Sequence, residues 1–286
     1  MRASSRARRA RLILKALDAT YQARAVPPGS ARHWSWLFAA AEARAPLLGI
    51  YALLAEWQAL MDPATESSVA HLKLAWWGEE IQRLKRGSAV HPISSYLADL
   101  PRAAAVDFDP LFSAVATAAT QIGGAPLERG TDLESQCRSL YGGPLALASL
   151  LAADVPDAAA LGNCTQALAA GEYLAKALRD YRRESSAGRV PFAIDELLAA
   201  GIDNDDLAAA PPPAHLQSYL DRSRERACSY FESAGQALPP AQRGPQRHLL
   251  VLAALGRKHL DGRSPPGGRR RFKDMLLAWT TARRAH

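Results

Sequence analysis

Residues that favour strands are scarce in this 286-residue chain. Val, Ile and Thr are few and alanine is abundant, which tilts the backbone toward helix. No strand-type alternation of apolar and polar residues stands out. No segment repeats at a fixed period. Nowhere do about 18 apolar residues run free of charge, so no membrane-spanning helix is expected. Cysteine is limited to Cys137, Cys164 and Cys228, which lack both a paired pattern and metal-ligand spacing. That fits ordinary buried thiols in a reducing compartment. The few histidines sit in unrelated contexts, so no Ser/His/Asp or Cys/His triad can be argued. Acids are missing before Asp18. This basic N-terminus lacks an apolar core followed by a small-residue cleavage site, which argues against a secretory signal and leaves a transit peptide or a basic first helix open.

What is present is a globular composition, 48% hydrophobic, with a formal net charge of +7. Length alone allows one large domain or two. Much of the charge lies at the ends, in a basic N-terminal segment, 1–11, and a basic loop, 263–273. An affinity for polyanions or an anionic membrane surface follows, with plain basic tails on a soluble protein as the alternative. Nucleic acid is not an expected partner, because the arginines are not interleaved with aromatics and no zinc-finger or RNA-sheet motif occurs.

The apolar spacing predicts roughly ten helical segments. A first helix covers 10–24, and Pro27-Pro-Gly-Ser30 breaks it. His33–Phe38 is aromatic-rich, and Pro46 is placed in the first turn of the next helix, which Pro63 stops. Segment 65–86 has N-cap candidates at Thr65, Ser67 and Ser68. Its predicted apolar side is Val69, Leu72, Trp76, Trp77, Ile81 and Leu84, with Lys73, Glu79, Glu80 and Arg83 opposite. Gly87 ends it, and His91-Pro92 opens a short helix through Leu97. After a loop over 100–109, further helices are expected at 110–122, 131–153 (kinked or closely approached at Gly142-Gly143-Pro144), 156–185, 214–237 and 243–260. A last helix follows the 263–271 loop. The pattern is that of one all-α bundle.

The stretch with most chemistry is Leu178–Pro191. Asp180 and Glu184 are four apart and share one helix face. Arg179, Arg182, Arg183 and Arg189 crowd the same turns. Such a cluster holds Mg²⁺ and a phosphate together, or it is a solvated, salt-bridged helix end.

Four stretches together resemble the squalene/phytoene synthase family, all-α trans-isoprenoid synthases that join two prenyl diphosphates head to head. They are Tyr51–Asp62, Leu72–Ile81 with His91-Pro92 behind it, Asp132–Gly143, and Leu178–Pro191. Their order and spacing match over roughly residues 30–200. The resemblance implies an isoprenoid-synthase-like helical bundle around a central cavity, spanning 1–286 as one domain. It implies that Tyr51, Arg179, Arg189, Gln136 and Trp76 line the diphosphate site and cavity. Asp180, Glu184 and the lone Asp62 are the metal candidates, with Mg²⁺ at the second motif. For Trp76 and Trp77, core and groove packing is the alternative.

The chain also departs from the family's pattern. Gln58 and Ala59 stand where two aspartates are expected, Ala55 where an arginine is, Gln136 at a tyrosine position and Lys176 at an asparagine position. Departure of pyrophosphate needs divalent metal bridged to carboxylates. In this respect the chain is similar to a degenerate branch of the family, the complex I assembly factors and their bacterial look-alikes. Two functions of different class are therefore expected. One is a non-catalytic isoprenoid- or lipid-binding or assembly role, with an anionic membrane surface or a protein as partner. The other is an active Mg²⁺-dependent prenyltransferase. The expected location is cytoplasmic, peripheral at the inner membrane.

Overall fold

The computed structural model describes residues 21–122, 126–260 and 268–285, with side chains in the last segment from 271 onward. Every regular element among them is helical. We number the α-helices α1 Ala31–Leu37, α2 Ala41–Leu60, α3 Ser67–Lys85, α4 Pro92–Ala98, α5 Asp109–Gln121, α6 Leu133–Cys137 and α7 Gly143–Ala152. They continue as α8 Ala158–Ser186, α9 Ile194–Ala199, α10 Asn204–Ala208, α11 Ala214–Ala237, α12 Pro240–Arg243, α13 Arg247–Leu260 and α14 Gly268–Arg284. The predicted helix over 10–24 lies mostly outside the described residues, as do Gly123 and Gly124.

The 29-residue α8 is the central rod. Asp157 caps its start by accepting from the Ala160 amide at 2.8 Å. Its end is fixed by Gly188, whose φ of +74° is strained for other residues. α11 and α13 pack along α8, α2 packs on α7, and α3 on α5. The largest apolar cluster draws residues from Ala25 to Ala285. Phe231 of α11 is its tightest joint. A Cβ built on Gly256 of α13 would lie 2.4 Å from the Phe231 ring, and one on Gly171 of α8 would lie 3.0 Å from it. Both glycines are there because a ring occupies the space of their missing side chains.

Several local expectations change. Pro46 is the sixth residue of α2, not a first-turn residue; it is buried, and α2 runs on without the backbone donor that proline lacks. Glu66, rather than Thr65, Ser67 or Ser68, is the N-cap residue of α3. The buried side of α3 is Ala70, Leu74, Trp77, Ile81 and Leu84, so Val69, Leu72 and Trp76 face outward. Glu80, expected at the surface, is fully buried. It accepts from the amides of Val90 (2.9 Å) and His91 (2.8 Å), from the Ser94 hydroxyl and from Arg83 Nε (2.7 Å). Burial would raise its pKa; these four donors outweigh burial and hold it low. Glu80 thus ties the loop after α3 to α4. His91 is a helix-start residue as expected, its Nδ1 accepting from the Ile93 amide. The predicted 263–271 loop gives up 268–271 to α14.

Two outcomes test this packing. Gly256→Ala should lower thermal stability by about 1–3 kcal/mol through overpacking, whereas Gly162→Ala, with nothing within 4 Å of its Cβ position, should be neutral or stabilising by up to ~1 kcal/mol. The second concerns His248, fully buried on α13, whose pKa is pushed from 6.5 down to about 3 by burial and by Arg247. The unfolded chain binds the proton that the folded chain refuses, so stability is present above the ordinary histidine value and is lost as pH falls below it. Denaturant melts of wild type and His248→Gln should converge by up to about 1.4 kcal/mol per pH unit below about pH 6.5.

Candidate functional site

A cavity of about 1000 Å³ opens between α2, the α6–α7 segment, α8 and α13. Its floor is apolar, formed in part by Leu54, Leu145, Leu168 and Leu252. Gln58, Gln136, Tyr141, Glu172 and Tyr173 add polar groups to the lining, and the solvent-exposed charged residues Asp62, Lys176, Arg179 and Arg183 mark its mouth.

The α6–α7 segment reaches the cavity through a π-helical turn, Arg138–Gly142. Gln136, just before this turn, and Tyr141, within it, both line the cavity. Gly142 lets α8 come close, since a Cβ there would be 3.3 Å from the Thr165 carbonyl. Tyr141 lies within side-chain hydrogen-bonding reach of Gln58. Gln136 Oε1 is buried with no hydrogen-bond partner among the described residues. Tyr51 is buried against Ser35, 3.0 Å between the hydroxyl oxygens, and the Arg32 guanidinium lies 5.5 Å from its ring centroid. Burial pushes its phenol up to about 12.

α8 supplies the charge. Glu172, Lys176, Asp180 and Glu184 recur at four-residue intervals and so lie near one face. Glu172 projects into the cavity space while protein surrounds it; this burial raises its carboxyl, and Arg32 and Arg179 only partly pull it back. Lys176 Nζ is 3.3 Å from Glu184 Oε1 and 3.6 Å from Asp180 Oδ2. Arg179 holds both oxygens of Asp180, at 3.0 and 3.2 Å. Arg183 joins the two motifs: it donates to Asp62 Oδ2 on one side and to Glu184 Oε1 on the other, both at 3.2 Å. Arg189 donates to the Met61 carbonyl at 2.7 Å and lies 3.9 Å from Glu184. Burial would raise Asp180, but Arg179, Lys176 and Arg183 keep it below the usual carboxylate range. The Ala64 amide and Arg183 do the same for Asp62 against its burial.

Of the residues expected here, Tyr51, Gln136, Arg179, Arg189, Asp62 and Glu184 line the cavity. Asp180 is beside them on the Arg179 fork, outside the lining set. Trp76 is elsewhere. It is 40% exposed on the outer face of α3, with Trp77, His91 and the Arg83 guanidinium against its ring. Trp76 moves because the helix turns Trp77 inward, and neighbours in sequence cannot share that face. Glu56 pairs with Arg24 at 2.8 Å and does not line the cavity. Unforeseen from the sequence were Glu172, Tyr173, Tyr141 and Arg32, and Arg271 and Asp274 of α14. The four-residue spacing of Asp180 and Glu184, continued backward, would have reached Glu172.

Mg²⁺ asks for several oxygen ligands in near-octahedral geometry. Among the described residues no three His, Cys, Asp or Glu side chains come together as a metal site. The three acids at the mouth are each engaged by lysine or arginine, and Gln58 and Ala59 of α2, which also line the cavity, add no carboxylate. The residues as arranged do not fit a magnesium cluster.

An all-helical bundle closed around a large cavity, with two charged motifs facing its mouth, defines an isoprenoid-synthase fold. The family model for squalene/phytoene synthase matches residues 27–262, and the chain belongs to that family. It is 24% identical over 218 residues to phytoene synthase 1, chloroplastic, of Arabidopsis thaliana, covering 74% of this chain and 52% of that protein. It is 21% identical over 224 residues to the chloroplastic phytoene synthase of Narcissus pseudonarcissus, covering 77% and 53%. The chain thus spans about half the length of these curated relatives. Among solved structures, a dehydrosqualene synthase bound to a ligand superposes with a TM-score of 0.78 at 12% identity, covering 97% of this chain and 99% of that one. A squalene synthase from Alicyclobacillus acidocaldarius gives 0.67 at 18%, covering 88% and 92%. At these identities the likeness establishes the fold.

Calorimetric titration should find no saturable Mg²⁺ binding to wild type at low millimolar concentration. The triple variant Lys176→Asn, Arg179→Gln, Arg183→Gln removes the close cations from the three acids and should gain it. Tight binding by wild type would refute the cation-paired description of the mouth.

Proposed function

We propose that this chain works as one squalene/phytoene synthase-like domain that holds an isoprenoid diphosphate or lipid without condensing it, in a binding or assembly role. The observation that carries the reading is the pairing at the mouth. Lys176 and Arg183 lie between carboxylates that a metal-dependent site would need free. Guanidinium and ammonium groups bind phosphate directly, by charge-assisted hydrogen bonds that need no metal. The apolar floor suits a prenyl or acyl chain. Arg179 would exchange its Asp180 partner for a phosphate oxygen, and Arg189, anchored on Met61, would stay in place. The remaining partner is an anionic membrane surface.

A second reading, an active Mg²⁺-dependent prenyltransferase joining two prenyl diphosphates, is favoured by one observation. Acids from both motifs, Asp62 and Glu184, still face one mouth over a cavity large enough for long apolar chains.

Farnesyl or geranylgeranyl diphosphate should raise the melting temperature equally in Mg²⁺ and in EDTA, by ligand linkage. Arg179→Ala should weaken that shift about tenfold in apparent affinity, the loss of roughly one charge-assisted contact. With Mg²⁺ present, no pyrophosphate should be released. Steady turnover that Asp180→Ala abolishes would sink the non-catalytic reading in favour of the second.

A further inference from the structure

The last helix, α14, has two apolar sides pointing opposite ways. Inward, Ala278 and Ala282 are buried in a cluster with Trp34, Val251 and Leu255. Asp274, on the same inward side, is 2.7 Å from Lys258 and 3.1 Å from His259. Outward, Phe272, Leu276 and Trp279 are 61%, 46% and 43% exposed. Their spacing, i, i+4 and i+7, puts them in one narrow stripe. Arg283 continues the stripe, its guanidinium 4.9 Å from the Trp279 ring centroid. Lys273 and Arg284 are exposed at its flank, and Arg271 is exposed near the helix start.

The charge on this face has one sign. Asp274 is the sole acid in the α14 sequence, and it is turned inward and matched. α3 also has outward apolar residues, but acids and bases are mixed there, and Arg83 lies over Trp76. A row of large apolar side chains beside cations that have no acidic partner among the described residues is the pattern of a helix lying in the plane of an anionic bilayer, with tryptophan at the apolar–polar boundary. No described helix is long and apolar enough to cross a membrane. A location parallel to the surface therefore fits α14. Position adds to this: Arg271 and Asp274, at the start of the same helix, line the cavity.

We infer that the outward face of α14, built on Phe272, Leu276 and Trp279 with Lys273, Arg283 and Arg284, docks the protein on an anionic membrane surface and turns the cavity rim toward the lipid. This rests on the membrane-partner part of the reading above; it does not depend on what fills the cavity.

The test is co-sedimentation of the full chain with vesicles of phosphatidylcholine alone or of phosphatidylcholine mixed with phosphatidylglycerol. Wild type should pellet with the mixed vesicles, and high salt should weaken binding without abolishing it, because the apolar stripe is insensitive to screening. The double variant Leu276→Ser, Trp279→Ser should bind at least about tenfold more weakly. Leu198→Ser, an exposed leucine on α9, should bind like wild type. Should the double variant melt early, Lys273→Glu with Arg283→Glu gives the alternative arm and should erase the preference for mixed vesicles. Replacing Arg2, Arg6, Arg8, Arg9 and Arg11 by Ala should leave most of the binding. The inference is overturned if wild type ignores mixed vesicles, the outcome expected of a protein-binding stripe. It is equally overturned if the stripe variants bind normally, or if the N-terminal replacements alone remove binding. The farnesyl diphosphate melting shift, measured on the same variants, should persist, which separates failure of docking from failure of the cavity reading.

Discussion

Charge placed against an apolar cavity survives only beside its opposite. Moving a lone carboxylate or ammonium away from water costs many kcal/mol, and counter-charges with well-placed hydrogen bonds offset that cost. α8 carries Glu172, Lys176, Asp180 and Glu184 at four-residue spacing, and at the mouth the last three are held in ion pairs. Lys176 serves two acids, Arg183 reaches across to α2, and Arg189 fastens the chain after α8 to the end of α2. The same contacts hold the two ends of the site together and set its net sign. In a metal-dependent relative, divalent ions would carry that balancing charge. Here the three acids at the mouth are paired with lysine and arginine side chains.

The fold was legible because its signals are local and repeated. Helices at 214–237 and in the His91-Pro92 region follow from spacing, caps and breakers. Errors came where tertiary packing chose between equivalent faces. Trp76 and Trp77 are indistinguishable by composition, and it is the position of α2, whose Trp57 meets the Trp77 ring edge-on, that marks which is inside. Glu80 looked like a surface acid because nothing in its own helix announces the amides of Val90 and His91 that receive it. Pro46 looked like a helix start because a proline deeper inside a helix needs its neighbours to compensate.

The site was legible in half. The acids and arginines of Leu178–Pro191 mark themselves by density and spacing. Arg32, Tyr141 and Tyr173 reach the cavity through long-range packing or a π-helical turn, and neither leaves a mark in the local pattern. A TM-score of 0.78 at 12% identity shows that the bundle itself is kept through wide change of sequence.

The ring of Phe231 has a mechanical consequence. With Gly171 on one side and Gly256 on the other, it leaves no slack between α8, α11 and α13. That wall of the cavity is therefore stiff, since close-packed rings and backbones transmit strain instead of absorbing it. The rim at Gly29 is built differently: the Arg271 side chain lies across Gly29 in the turn before α1. A flexible side chain over a turn yields where a ring between two backbones does not. Were the cavity to take a guest as proposed, the Arg271 rim is where it would give way, and the wall of α8 held by Phe231 would keep its geometry.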